Sequence, residues 1–290
     1  MKPARFLAHA ALVAGALAAS GCAPTLDSEP ELSAKPGEAL NVIDASSLND
    51  LMLTVSDPED SVEYFQRALS EDPDRPEFRR GYALALARAR RFAEAVVQFE
   101  KLGADGLADN RIHVEHANAL ARLARWQEAE AVMGLVSSSE DTPRRHLIDA
   151  MLADQRQDWA GADAAYERAR GRSANPARIL NNWGVSLMSR GDNKAAAKSF
   201  EEALSFDPAL FNAKNNLAVA RALDGEYRVP LVSLSEEERA ILLHNIAVIA
   251  LRRGDAEAAK GLLRMAIAAH PRHYPEAAEK LAALEAQVSN

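Results

Sequence analysis

Bulky apolar residues recur along this chain at an interval of 34 residues. Phe65, Phe99 and Met133 are separated by this interval, and Phe92 lies 34 residues before Trp126. Small residues follow almost the same interval, at Ala95, Ala129, Ala162 and Ala196. Self-similarity at a fixed period of about 20–50 residues is typical of a repeat array, in which neighbouring units bury each other's apolar faces.

The clearest repeat unit covers residues 177–210. Its small and bulky positions are, in chain order, Trp183-Gly184, Leu187, Gly191-Asp192, Ala196, Phe200, Ala203 and Pro208. This unit resembles the tetratricopeptide repeat, whose pattern is an aromatic residue or Leu with Gly, a mid-repeat Gly, then Ala, an aromatic residue, Ala and Pro. Looser units cover about residues 42–272 and begin near Val42, Pro76, Asn110, Pro143, Phe211 and Ala240.

The resemblance implies an all-α fold, a right-handed superhelix of tetratricopeptide helix-turn-helix repeats with a concave inner surface. Composition agrees with it, because aromatics make up only 6% of the residues and long runs of β-branched residues are absent. Residues 274–288 are predicted to form a C-terminal capping helix, since Glu276, Glu279 and other polar side chains suit an outer face.

Helix boundaries are marked by capping residues, prolines and glycines. A capping side chain precedes a first-turn proline at Asp57-Pro58, Thr142-Pro143 and Asn175-Pro176. Ser235 and Glu238 predict a capping box, and the predicted helix–helix turns carry Gly191, Gly225 and Gly254. The unit from Phe211 is irregular, and we expect a shortened or broken helix over residues 226–234.

The N-terminus has the pattern of an export signal. Lys2 and Arg5 are followed by a mostly apolar run of about 14 residues, which is too short to span a membrane. The run ends in small residues directly before Cys22, the only cysteine, and so resembles a bacterial lipoprotein signal, although Ala19 stands where Leu is usual. The alternative is an ordinary signal peptide cleaved nearby.

Three segments are therefore predicted: a lipoprotein signal peptide over residues 1–21, a flexible tether over 22–41 and the repeat array over 42–290. The tether is rich in Pro, Ser and Glu, a composition that cannot bury enough apolar surface to order itself. Ala23 follows the cysteine in place of the Asp that signals inner-membrane retention. The resemblance thus implies a lipid anchor on Cys22 in the outer membrane, with the protein on the periplasmic face.

Charge and chemistry exclude several classes of function. The chain has 34 basic and 42 acidic side chains, a net charge of −8, whereas nucleic-acid binding calls for a basic surface. No phosphate-binding loop, nucleophile elbow or HExxH motif is present. His113 and His116 lie three residues apart, but they occupy core positions of their repeat, so we interpret them as structural. We therefore expect no enzymatic activity, no cofactor and no metal site.

One set of polar residues predicts a binding surface. Positions 5 and 6 of three successive first helices carry amide or imidazole side chains: Asn181 and Asn182, Asn215 and Asn216, His244 and Asn245. A primary amide can both donate and accept a hydrogen bond, so stacked Asn residues could hold the backbone of an extended peptide. Large peptide-binding repeat proteins are similar in having such an asparagine ladder. The alternative is that these amides support helix packing or face solvent.

These features favour a non-catalytic, lipid-anchored scaffold that binds a protein partner in envelope assembly. The lipoprotein signal, the NNWG and NNLA units and the final LLHNIAVIALRRGD unit resemble the TadD family of Flp/Tad pilus assembly proteins. That resemblance implies a secretin-like envelope component as partner. Two alternatives are an outer-membrane-protein assembly lipoprotein and the recruitment subunit of an envelope enzyme.

Overall fold

The computed structural model describes residues 48–286, in which fourteen helices and no β-strand occur. The predicted all-α fold is confirmed. The helices are α1 (48–54), α2 (Pro58–Glu71), α3 (Pro76–Arg88), α4 (Phe92–Ala104), α5 (Asn110–Arg122), α6 (Trp126–Met133), α7 (Pro143–Gln155), α8 (Trp159–Arg172), α9 (Ala177–Ser189), α10 (Asn193–Phe206), α11 (Phe211–Leu223), α12 (Glu236–Arg252), α13 (Ala256–Ala269) and α14 (Pro275–Ala286).

Consecutive helices pack as pairs, and the pairs stack in chain order. We call α3, α5, α7, α9, α11 and α12 the first helices and α4, α6, α8, α10 and α13 the second helices. Each first helix except α11 packs on the second helix that follows it, and α14 packs on α13 at the C-terminal end. First helices of neighbouring units also contact one another, as α3 with α5, α5 with α7 and α9 with α11. The hydrogen bond between Asp154 on α7 and Ser186 on α9 joins the two groups of helices, so the first helices share one face of the stack.

Pairs of small and bulky residues let the helices approach closely. Gly184 on α9 lies against the buried ring of Phe200 on α10, and a Cβ atom at Gly184 would lie 2.5 Å from that ring. Gly81 on α3 lies in the same way against Phe65 on α2. A small and a bulky position of the repeat pattern, Gly184 and Phe200, are thus in contact across the helix pair. A methyl group at either glycine would force the ring or a helix to move.

Turns between paired helices share one hydrogen-bond pattern. The amide N–H of Asp192 donates to the carbonyl oxygen of Leu187 at 3.0 Å, and Gly191 between them has a φ of 85°. This six-to-one bond with a positive φ at the preceding residue is the Schellman closure of a helix. The predicted turn positions of Gly225 and Gly254 also have positive φ.

The unit that begins with α11 has no second helix. Residues 224–235 form a turn and an irregular segment, so the helix expected over 226–234, shortened or broken, is absent. Pro230 explains this in part, because it lacks the N–H that a helix interior needs. In place of a second helix, an ion pair connects α11 with α12, in which the buried Lys214 lies 3.1 Å from Glu238. Glu238 also completes the predicted capping box with Ser235.

Several predictions made from sequence fall on residues that the structure does not describe. The signal peptide over 1–21, the anchor at Cys22 and the tether over 22–41 all lie outside residues 48–286. Within the described range, no helix has the length and apolar character needed to cross a membrane.

Candidate functional site

The predicted asparagines come together on the face formed by the first helices. Asn181 and Asn182 lie in the second turn of α9, and Asn215 and Asn216 lie at the same distance from the start of α11. The third pair lies deeper in its helix, because the Ser235 capping box starts α12 at Glu236, four residues before the repeat position expected at Ala240. The amides of the three units nevertheless align from one helix to the next.

Two hydrogen bonds connect these amides diagonally. Asn216 Nδ2 donates to Asn181 Oδ1 at 3.0 Å, and Asn245 Nδ2 donates to Asn215 Oδ1 at 2.6 Å. Asn181 is buried, whereas the other three side chains are half-buried. Since an Asn carries two donor hydrogens and one acceptor oxygen, Asn216 and Asn245 each keep a hydrogen and the oxygen for a ligand. Packing and binding capacity therefore reside in the same side chains.

The remaining two predicted residues are placed differently. Asn182 is half-buried, makes no side-chain hydrogen bond to any described residue and lines a cavity on the first-helix face. His244 instead faces the cap, where its Nδ1 lies 3.2 Å from the Tyr274 hydroxyl and its ring packs edge-on against the tyrosine. Burial lowers the pKa of His244, so the imidazole is neutral at pH 7.

A polar network that the sequence analysis missed joins α7, α8 and α9. The Asp154 carboxylate on α7 accepts hydrogen bonds from the Tyr166 hydroxyl at 2.8 Å and the Ser186 hydroxyl at 2.5 Å. Burial raises the pKa of Asp154, because hydrogen bonds from the two hydroxyls replace only part of the stabilisation that water gives to a carboxylate. Asp154 thus fixes the spacing of two first helices, α7 and α9.

A second carboxylate, Asp163 on α8, holds the aromatic part of this network. It accepts from the indole N–H of Trp183 at 2.7 Å and pairs with Arg190 at 2.6 Å. The Trp183 ring stacks on Tyr166 with their centroids 6.0 Å apart. No sequence motif signals this arrangement, since Asp163 and Arg190 lie on helices of different units.

The two histidines of α5 differ in burial, since His113 is half-buried and His116 is buried. His116 is buried and stacks on Phe99 with ring centroids 5.6 Å apart, and burial lowers its pKa. The region described by the structure contains no cluster of three or more potential metal-binding side chains.

Comparison with known proteins identifies the repeat. Residues 52–110 and 150–210 match the model of the tetratricopeptide repeat family. No curated protein matches the sequence significantly. The predicted tetratricopeptide fold is confirmed by solved structures at low identity, which establish the fold and not the function.

Three solved structures illustrate this likeness. A chain of the APC/C hetero-tetramer Cut9–Hcn1 is 15% identical with a TM-score of 0.54, over 82% of this chain and 47% of that one. The chain thus spans about half the length of that relative. A tetratricopeptide repeat protein from Parabacteroides merdae ATCC 43184 is 14% identical with a TM-score of 0.53, over 86% of this chain and 98% of that one. Pseudomonas aeruginosa pilF is 13% identical over 62% of this chain and 90% of that one, with a TM-score of 0.43.

Proposed function

We propose that this protein is a non-catalytic scaffold whose first-helix face binds an extended segment of a protein partner. We call that face the groove. The observation that carries the proposal is the row of amides from Asn182 through Asn216 to Asn245. Bonds between the amides hold Asn216 and Asn245 in fixed orientations, so a ligand does not have to order them on binding.

The amide row suits a peptide backbone more than any particular side chain. An extended peptide offers an N–H and a C=O at every residue, and each groove asparagine has at least one free donor and one free acceptor. Each hydrogen bond exchanged from water to peptide contributes only about 0.5–1.5 kcal/mol. Three amides together would change the affinity by roughly one to three decades.

We propose further that the scaffold acts in the cell envelope, attached to the periplasmic face of the outer membrane through acylated Cys22. The support is the lone cysteine after an apolar run, together with the TadD-like units that begin at Ala177, Phe211 and Ala240. The proposed partner is a secretin-like component of Flp/Tad pilus assembly.

Lipidation is tested on the protein purified from membranes. Mass spectrometry of its N-terminal peptide should show an acylated Cys22 as the first residue. An unmodified N-terminus in a soluble periplasmic fraction would contradict the anchor without affecting the groove.

Partner binding is tested by photo-crosslinking in cells. A photoreactive residue at Gln155, exposed beside Asn182 on the groove, should crosslink an envelope protein that mass spectrometry then identifies. The same residue at Lys198, exposed on second helix α10, is the control and should give no such product. A secretin supports pilus assembly, whereas an outer-membrane barrel factor or an envelope enzyme would support one of the alternatives.

The amides are tested by substitution. Asn182→Ala removes no internal hydrogen bond and should weaken partner binding without changing stability. The triple variant Asn182→Ala, Asn216→Ala, Asn245→Ala should weaken binding further, and it also loses the two bonds between amides, at about 0.5–1.5 kcal/mol each. Circular dichroism therefore has to show that the variant is folded before its affinity is compared.

A control variant with Lys194, Lys198 and Met265 changed to Ala alters three exposed second-helix residues and should keep full affinity. Unchanged affinity of the folded asparagine triple variant would exclude the groove and move the site to another surface.

A further inference from the structure

A cavity of about 360 Å³ opens on the groove and is lined by residues of the five consecutive helices α5–α9. Its apolar walls are Trp126, Met151, Trp159 and Val185, none of which is buried. The volume lies at the lower end of the range of ligand pockets, about 300–1,000 Å³, and is suited to one large side chain rather than a cofactor. Asn182 also lines this cavity, so the cavity adjoins the amide row.

Arginines lie on the N-terminal side of this cavity. Arg122 at the end of α5 lines it directly, and an adjacent depression is lined by Arg88, Arg111 and Arg144 with one acidic residue, Glu115. Arg144 is paired with Glu115 at 2.8 Å, and Arg88 donates to backbone carbonyls near α1. Arg111 and Arg122 make no ion pair with any residue in the described range.

The charges in this region are close enough to influence one another. Desolvation and the positive charges of Arg144 and Arg90 lower the pKa of Arg122, although the guanidinium stays charged at neutral pH. An excess of positive charge at this place contrasts with the net charge of −8 for the whole chain. A ligand that brings carboxylates to Arg111 and Arg122 would relieve the repulsion.

We propose that the cavity and its arginines select, within the groove, a protein segment with one bulky apolar side chain flanked by acidic residues. The apolar side chain occupies the cavity between Trp126 and Trp159, and the carboxylates pair with Arg111 and Arg122. The amide row holds the backbone on the other side of the anchor. This inference rests on the proposed function, because it assigns a side-chain preference to the same groove.

A peptide library measures this preference. The probes are fluorescent peptides of about twelve residues with a central Trp, Phe, Met, Leu or Ala and a flank of Glu, Lys or Ser on either side. Fluorescence anisotropy with the full chain should give the tightest binding for bulky anchors with Glu flanks. Replacing the anchor by Ala, or Glu by Lys, should weaken binding at least about tenfold, and added salt should weaken the Glu peptides most.

Matched variants test the bulky anchor and the acidic flanks separately. Val185→Trp fills the cavity and should abolish the preference for a bulky anchor, whereas Val97→Trp, at an exposed position of second helix α4, should not. Arg122→Glu should reverse the preference from Glu to Lys flanks. Arg168→Glu makes the same charge change on the exposed face of α8 and should leave the preference unchanged.

Each result either supports the inference or overturns it. Peptides that bind regardless of anchor and flank, but lose affinity in the Asn182→Ala variant, would overturn this inference and leave the groove proposal intact. Sensitivity to Val185→Trp and Arg122→Glu without sensitivity to the asparagines would support this inference, keep the groove as the binding face and exclude the amide row from binding. If no peptide binds and light scattering shows self-association that Val185→Trp removes, the cavity holds a second copy of this chain and the inference is wrong.

Discussion

The N-terminal and C-terminal halves of the array build the same turn from different residues. In the C-terminal half the turn residues are glycines with φ of 85°, 89° and 86°, namely Gly191, Gly225 and Gly254. In the N-terminal half the equivalent φ values are 60°, 57° and 58°, at Arg90, Ala124 and Gln157. All six turns close with a six-to-one bond of 2.9–3.0 Å to the carbonyl oxygen of the preceding helix.

The difference shows that helix packing imposes this turn whether or not glycine is present. A left-handed conformation costs an ordinary L-residue roughly 1–2 kcal/mol, which the N-terminal half accepts at three places. The surfaces of the two halves also differ, because the aromatic cavity and the arginines lie mainly on α3 and α5–α8, whereas the asparagines lie on α9, α11 and α12. One scaffold geometry thus carries two kinds of groove.

The largest expected effect comes from the core of the C-terminal half. Phe200→Ala should reduce the free energy of unfolding by about 3–5 kcal/mol, because the fully buried ring packs against Gly184 across the helix pair. Phe206→Ala, at an exposed position of the same helix, is the control and should cost far less. Hydrogen exchange should show more loosening in α9–α13 than in α2–α6, and uniform loosening would contradict a stack of neighbouring units.

The next effect tests the glycine turns. Gly191→Ala should cost about 1–2 kcal/mol, because the φ of 85° is unfavourable for alanine although no atom lies within 4 Å of the added methyl group. Gly171→Ala in α8 also meets open space but has no positive φ, so it should stabilise by roughly 0.5–1 kcal/mol. If both substitutions change the free energy of unfolding in urea equally, the left-handed backbone at Gly191 is not the cause of the destabilisation.

The converse change in the N-terminal half should be stabilising. Ala124→Gly relieves a left-handed alanine with φ of 57°, and we expect a gain of about 0.5–1 kcal/mol after the added chain entropy of glycine is subtracted. Ala87→Gly in α3 supplies the control, since glycine inside a helix costs about the same amount. A loss of stability on Ala124→Gly would mean that this turn is not strained.

The smallest effect is a dependence of stability on pH in both halves. Burial lowers the pKa of His116 and of His244 below the usual 6.5, so protons bind the unfolded chain more readily than the folded one. Stability should therefore be full above about pH 6.5 and fall as the pH drops through the folded pKa values. Urea midpoints at about pH 7.5 and pH 5.5 measure the change.

His116→Leu should flatten this dependence in the N-terminal half and His244→Gln in the C-terminal half. Hydrogen exchange at the lower pH shows which helices lose protection and therefore which half of the array loses stability. If the free energy of unfolding depends on pH in both variants as strongly as in the unaltered protein, these two histidines are not the source of the dependence.

The sequence predicted most of the local structure. The 34-residue spacing of Phe65 and Phe99 predicted a repeat array, and the Ser235 and Glu238 pattern predicted the start of α12. It also identified Gly184 and Phe200 as a small and a bulky position of one repeat unit. These features depend on residues close in sequence or on one repeating interval, so a single chain reveals them.

The sequence by itself thus determined most helices, the caps at Asp57, Thr142 and Ser235 and the repeat of the stack, because those follow from short-range periodicity and turn chemistry. The predicted cap at Asn175 was wrong, since α9 begins after Pro176, which is itself the N-cap and has no side-chain capping bond. Tertiary structure alone decided that Asn216 binds Asn181 and that Asp154 joins Tyr166 to Ser186. It also decided that Arg122 adjoins a cavity between tryptophans and that no second helix follows α11. Such contacts join residues up to about 35 positions apart, and their geometry depends on how each helix is rotated against its neighbour, which no local pattern encodes.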